Sequence, residues 1–336
     1  MKIKLKDIAH DLGISKATVS LALNNKPGVS AKTKARIEKY IANGGLSADE
    51  MLPEEKTILF ILDQREKNVV CNSELDLRTQ PLSVFSSESK KLGYRTNIIY
   101  FDLGAENSEE LVKECNQDDI AGIVIWAVIL DEEELKPLKT IKKPILIYDN
   151  ESDNEDFHAV VIANKDGVKE GTQYLLDKGK KDIVYLANTA NIYNFKQRRL
   201  GFKESMTYQG MDDGAINKRI LYMGSEINEI TQRMENYLML NRKLPQAFIM
   251  ENYQVSLGVI SALFKRGIRI PEDVALLGVD KLPEYLVMNF KLTTINVPHN
   301  SRTRISARCL IDSIEERTDE TIKIFVSTNL SEGTSV

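Results

Sequence analysis

Two groups of residues in this chain have types and spacing suited to binding chemistry. The first lies between Ser15 and Asn24, where the hydroxyl and amide side chains of Ser15, Thr18, Ser20 and Asn24 are interspersed with Lys16, Ala17 and Leu21. Short hydroxyls and amides bond phosphate oxygens, a lysine bonds a guanine edge, and Ala or Leu touches a thymine methyl, so this set suits a duplex. Helix capping alone would also account for Ser15 and Thr18; the two roles are compatible, because a cap uses one lone pair and leaves the hydroxyl proton free. The second group follows apolar runs: Asp63 after TILFIL, Trp126 ending AGIVIW, Asp149 after PILIY, Asn252 after QAFIM and Asp280 after DVALLGV. Singly, each reads as a turn or cap residue, and Trp126 as core. Five at equivalent places read as the polar lining of a cleft.

No pattern of a catalytic centre competes. GxGxxG, GxxxxGK[ST] and GxSxG are all missing, and His10, His158 and His299 stand apart from one another. Cys71, Cys115 and Cys309 form no CxxC pair, so neither a disulfide framework nor a zinc site is expected, and no metal or cofactor is implied. The longest apolar runs, such as Ile120 to Leu130, fall short of the ~20 residues of a spanning helix. The start, MKIKLKDIAH, lacks an apolar signal core. The chain is therefore expected in the cytoplasm.

The elements that must position these residues follow from charge and periodicity. The 336 residues carry a net charge of -4, but residues 1–45 hold nine Lys/Arg against three Asp/Glu, a net +6, which leaves -10 on the rest. A basic head on an acidic body suggests that the head meets a polyanion. Leu5, Ile8, Ala9 and Leu12 keep the spacing of a one-sided helix that Gly13 ends. A second helix is expected after Ser15, with Val19 and Leu23 facing in, and a third from about Ala31 to Ile41, capped by Ser30, with Ile37 and Ile41 facing in. Small Ala9 suits the crossing of the first two. Three short helices with this turn make a helix-turn-helix, whose second helix enters the major groove. Lys6, Thr33 and Lys34 join Ser15, Lys16, Ala17, Thr18, Ser20, Leu21 and Asn24 in the expected contact set.

From Thr57 onward, Val/Ile/Leu-rich runs alternate with amphipathic stretches over about 280 residues. Such runs imply parallel sheets covered on both faces, and the length implies two lobes. Ligands of such folds bind beyond the carboxyl ends of the strands. The expected class is α/β: an all-α helix-turn-helix head (1–45), a linker (46–56) and a two-lobed, doubly wound parallel-sheet body (57–336).

The stretch LKDIAHDLGISKATVSLALNNKPGVSAKTKARIEK resembles the DNA-binding head of the lactose and galactose repressor (LacI/GalR) family of bacterial transcription regulators. It departs from the family at Leu21, where a basic or polar side chain is common. The family's hinge helix, which wedges a leucine into the minor groove, would fall in NGGLSADEMLPEEK. That stretch is about three residues short and carries Asp49, Glu50, Glu54 and Glu55, so a flexible acidic linker is the favoured expectation, with Leu46 or Leu52 as the alternative wedge. In the body, AVVIANKDGVKEGTQYLLDKGKKDIVYL, RRLGF and LGVISALFKRGIRIPEDVALLGVD resemble the family's effector domain, which has the fold of periplasmic sugar-binding proteins. The resemblance implies that Arg198, three residues before the glycine of RRLGF, contacts an effector together with Asn252, Asp149 and Asp280. Tyr253 and Lys281 stand where the family has aspartates, and the loop QREKNVVCNSEL after Asp63 is roughly nine residues longer than usual. A sugar-like effector is thus favoured and a non-sugar credible. The resemblance implies a homodimeric regulator of operator DNA, most readily a repressor, controlled by a small polar effector between the lobes. Control by a partner protein is the alternative, and induction and corepression are both open.

Overall fold

The structure, a computed structural model, describes residues 4–44, 56–65, 79–104, 108–130, 132–151, 156–241, 243–283, 290–317 and 320–336. The expected linker between head and body, and nearly all of the long loop after Asp63 with Cys71, lie outside these residues.

The head consists of α1 (Leu5–Leu12), α2 (Lys16–Leu23) and α3 (Ala31–Gly44). Gly13 ends α1 at φ 62°, a left-handed position that glycine adopts without a Cβ penalty. Ser15 caps α2 by accepting the Thr18 N–H at 3.0 Å, and Ser30 accepts the Thr33 N–H at 3.2 Å at the start of α3. Ile8, Ala9, Val19, Ala22, Ile37 and Ile41 are buried together. Ala22, not Leu23, is thus the fully buried partner of Val19. On a two-turn helix the i, i+3 neighbour sits over the centre of this small core, and Leu23 is left half-buried at its rim. Arg36 Nη2 donates to the Leu12 carbonyl at 3.1 Å and the Tyr40 hydroxyl to Asp11 at 2.6 Å, fastening α3 to the end of α1.

The body runs β1 (Thr57–Asp63), α4 (Thr79–Lys91), β2 (Arg95–Phe101), α5 (Ser108–Cys115), β3 (Ile120–Trp126), α6 (Glu132–Leu138), β4 (Ile145–Tyr148) and β5 (His158–Ile162). It continues with α7 (Asn164–Asp177), β6 (Ile183–Asn188), α8 (Tyr193–Tyr208), α9 (Asp213–Asn217), β7 (Ile220–Gly224), α10 (Ile227–Leu240), β8 (Ala247–Met250), α11 (Tyr253–Lys265) and β9 (Ala275–Val279). β10 (Thr293–Asn296), α12 (His299–Ile314), β11 (Lys323–Val326) and β12 (Asn329–Ser331) complete it. One sheet has the order β11-β5-β4-β3-β1-β2 and the other β12-β10-β9-β8-β6-β7. All pairings are parallel except β10 with β12. Each sheet therefore has the doubly wound 2-1-3-4-5 arrangement, extended by one strand returning from the other lobe.

Alternation along the central strands explains why both faces of each sheet are covered. Ile58, Phe60 and Leu62 enter one core with α4 and α12, while Leu59 and Ile61 enter another with α5 and α6. In the second lobe Ile183, Tyr185 and Ala187 face the core that includes Val168 and Phe202, and Val184 and Leu186 face the one that includes Ile230 and Val259. Fully burying one such side chain stabilises the fold by ~1.5 to 3 kcal/mol, so the central strands anchor both lobes. Cys115 and Cys309 are buried within the first lobe, and burial pushes their thiols up to about 12 and about 11, which leaves them as small apolar residues. No helix among the described residues is long and apolar enough to cross a membrane.

The chain passes between lobes three times, from β5 to α7, from β10 to α12 and from β11 to β12. The second passage matters most for the cleft. α12 leaves the second lobe yet packs on α4 and β5 of the first, so its opening turn lies where the lobes meet.

Candidate functional site

In the head, α2 presents Lys16 and Ala17 exposed, with Ser20 and Leu21 half-buried beside them. The Ser15 and Thr18 hydroxyls lie 2.8 Å apart, so one of their two protons lies in the bond between them and the other stays available to a partner. Asn24 Nδ2 donates to the Ser20 carbonyl at 2.9 Å, closing the helix end. The Thr33 hydroxyl is 2.8 Å from that of Ser30, and Lys34 Nζ donates to Asn25 Oδ1, which fixes the loop between α2 and α3. Lys6 is exposed on α1. Leu21 rests beside Gly28 in the loop, where φ is 113°. The caps and the Lys34–Asn25 bond tie α2 and its loop to the start of α3 and set the orientation of α2.

In the body, Trp126, Asp149, Arg198, Asn252 and Asp280 all line one cavity between the lobes, of about 70 Å³. The sixth expected residue, Asp63, is absent from that lining. Its carboxylate takes Arg65 Nε at 2.9 and 3.0 Å and is also bonded by Arg65 Nη2, while the same guanidinium reaches Glu134. Its position at a strand end is used for a local ion pair, which holds Arg65 strongly in its charged form.

Asp149 and Asp280 both sit at left-handed φ, 68° and 73°, which turns each chain sharply after its strand. Asp149 accepts from Arg302 Nη1 and from Asn194 Nδ2 at 3.1 Å. Since Asn194 lies on α8 of the second lobe, that bond crosses the cleft. Arg302 is 1 % exposed; its Nε donates to the Tyr148 hydroxyl at 3.0 Å and its guanidinium stacks 4.3 Å from the Tyr148 ring. Asp280 Oδ1 lies 3.1 Å from His299 Nε2. Burial disfavours the Asp280 charge, but the His299 bond and the charges of His299, Arg198 and Arg302 outweigh it and hold the carboxyl below its usual range.

Arg198 Nε donates to Asn164 Oδ1 and Nη1 to the Glu251 carbonyl, both at 2.7 Å. Asn252 caps α11, accepting the Val255 N–H at 3.0 Å, while its Nδ2 donates to Gln254 Oε1 at 2.9 Å. One turn of α8 spaces Asn194 from Arg198, and Gly201 on the same helix approaches α7 so closely that a Cβ there would lie 2.3 Å from the Lys165 carbonyl oxygen. That contact explains the glycine of RRLGF: it seats the helix that carries two cleft residues.

Three cleft residues were not legible beforehand: Asn194, His299 and Arg302. The last two are three apart on α12, whose passage to the other lobe no local pattern discloses; Asn194 was detectable only as the residue one turn before Arg198. Beneath the cleft, Glu251 is fully buried and takes two bonds from Arg199 at 2.8 Å, the Asn188 N–H at 2.7 Å and the Tyr185 hydroxyl at 3.1 Å. Burial still pushes its carboxyl above the usual range.

Comparison with known proteins agrees with this architecture. Residues 4–45 match the lacI family of bacterial regulatory proteins and residues 172–336 a periplasmic binding protein-like domain. The HTH-type transcriptional regulator RegA of Clostridium saccharobutylicum is 24% identical over 322 residues, covering 94% of each chain. The HTH-type transcriptional repressor PurR of Pasteurella multocida (strain Pm70) is 24% identical over 320 residues, covering 94% of this chain and 93% of its own. Among solved structures, a lac repressor dimer bound to operator and the anti-inducer ONPF superposes with a TM-score of 0.71 at 18% identity, covering 100% of this chain and 99% of that one. The CelR-cellobiose complex gives 0.70 at 19% identity, covering 99% and 100%. The chain thus joins a helix-turn-helix head of the lacI family of bacterial regulatory proteins to a body that carries a periplasmic binding protein-like domain.

Proposed function

We propose that the protein is a sequence-specific transcriptional repressor that binds operator DNA as a homodimer and is controlled by a small polar effector held between the lobes. The observation that carries the reading is the composition of the cleft. Asp149 and Arg302 come from the first lobe and its packed helix, Asn194, Arg198 and Asp280 from the second, so a bound molecule touches both and fixes their angle. Effector control then amounts to a difference in ligand affinity between two lobe angles, typically ~1 to 3 kcal/mol. A single head offers few base contacts, and two heads on a symmetric body read a palindrome, which favours the dimer. The relatives named PurR and the operator-bound lac repressor support the repressor assignment, and the cellobiose-bound CelR supports a ligand in this position.

Two measurements test the reading. Sequencing of genomic fragments retained by the full chain should yield a palindromic site, and a version lacking residues 1–45 should retain none. Calorimetric titration of the full chain with polar metabolites should find a binder that changes operator affinity. Equal retention with and without the head, at low salt, would refute the DNA-binding part.

A further inference from the structure

The two cleft asparagines have their amides engaged. Asn252 bonds Val255 and Gln254 within its own helix cap, and Asn194 accepts from Asn164 Nδ2 at 2.6 Å while donating to Asp149. Two side chains keep an N–H to spare among the described residues. Trp126 is 3 % exposed, and its indole N–H meets no acceptor among the described residues. An N–H left without a partner in a buried site is costly unless a ligand supplies the acceptor.

Arg198 is the second. It is 6 % exposed, and the groups it bonds, the Asn164 amide oxygen and the Glu251 carbonyl, are both neutral. Among the described residues it forms no ion pair, and its Nη2 makes no hydrogen bond. The neighbouring cation Arg302 is instead matched by Asp149. Arg198 is thus a buried guanidinium whose charge is felt by Asp280 but whose planar fork bonds no carboxylate among the described residues.

The acceptors have the complementary vacancy. Asp149 and Asp280 each use Oδ1 for the bonds described and have Oδ2 to spare. Apart from Tyr253, the rest of the wall is apolar, formed by Val128, Ile162, Ile192, Phe195 and Val297. Arg198 and Arg302 stand against Asp149 and Asp280, so these four charges of the chamber sum to zero. A ligand that pairs a carboxylate with a hydrogen-bond donor therefore fits it better than a bare anion.

The inner chamber, about 70 Å³, holds roughly five waters, room for a carboxylate and two or three carbons. It shares Tyr253, Asp280, Val297 and His299 with an outer chamber of about 560 Å³, where a longer ligand continues.

We infer that the effector is a small carboxylic acid bearing a hydroxyl or ammonium group: the carboxylate is taken by Arg198 and the Trp126 indole N–H, and the donor by Asp149 or Asp280. This rests on the reading of the cleft as an effector site. The test is calorimetry and thermal shift on the full chain with two- to six-carbon hydroxy acids and amino acids, in parallel with the matching amides, propionate and neutral hexoses. An acid should bind about tenfold or more tightly than its own amide, the ratio expected for a charge-assisted bond. Binding by the hydroxy or the amino series alone decides which donor is read.

W126F should weaken the acid severalfold, and R198K more. Melting curves check that both variants are folded, and R198K keeps the charge while losing the fork. Hexose binding with every acid silent would overturn the inference and leave effector control standing. No binding by any acid or hexose would overturn the inference and count against effector control. Acid binding that is unchanged in both W126F and R198K would overturn the assignment of these donors.

Discussion

Replacing Arg302 by methionine tests whether the cleft rests on a desolvated ion pair. The Arg302 side chain is 2 % exposed and that of Asp149 10 %, so neither charge is appreciably solvated. Methionine keeps the apolar stem but removes Nη1 from Asp149, Nε from the Tyr148 hydroxyl and the guanidinium from the Tyr148 ring. Among the described residues, Asp149 keeps only the Asn194 amide as a side-chain donor. Breaking a buried pair by removing one partner costs ~3 to 5 kcal/mol, because the remaining charge stays buried and uncompensated. The stacking loss overlaps this figure and is not added to it. For a unit of this size the melting temperature should fall by roughly 10 °C. D149N alone should also destabilise, by stranding the arginine. The double variant R302M/D149N should lose clearly less than the sum, with a coupling of about 2 kcal/mol in urea titrations. If R302M stays within about 1 kcal/mol of the parent, or the two single losses simply add, the pair is not the buried element the geometry describes.

Asp280 gives a pH signature. Its carboxyl titrates below the ordinary value of 3.8 in the folded chain, so the stability it confers is present above that value and is lost as pH falls through the depressed one. The melting-temperature gap between parent and D280N should therefore shrink as the pH is lowered from 5 through the depressed value; a gap that stays the same over that acid range would contradict it. G201A should cost ~1 to 3 kcal/mol by pushing α8 off the Lys165 carbonyl and should abolish cleft binding, measured by urea titration and calorimetry. In the head, Lys16→Ala should change base preference among captured fragments, whereas Ser20→Ala or Thr33→Ala should weaken all sequences alike. Uniform loss for Lys16→Ala would remove that residue from base reading.

Elements governed by local rules were readable from the chain, and those governed by long-range passage were not. Ser15, Gly13 and Ser30 announce the helix ends because capping involves three or four neighbouring residues. The central strands TILFIL, AGIVIW, DIVYLA and DVALLGV announce themselves because burial on two faces leaves no polar alternate. Position after a strand located Trp126, Asp149, Asn252 and Asp280 at the cleft. The same rule placed Asp63 there too, but it cannot anticipate that Arg65, two residues on, folds back and takes the carboxylate. Arg302 was invisible for a different reason. It reads as an exposed charge on a polar helix, and only the return of α12 to the first lobe buries it against Tyr148. Glu251 was similarly hidden, since nothing nearby in the chain marks Arg199 as its partner.

The threefold passage between lobes has a mechanical corollary. A single protease nick in any one connection leaves two intact, so a cut chain should still migrate as one particle under native conditions and separate only in denaturant. The lobes cannot drift apart or slide freely; three parallel tethers leave them bending and twisting about a common seam. A molecule wedged into that seam acts with leverage on the far rims.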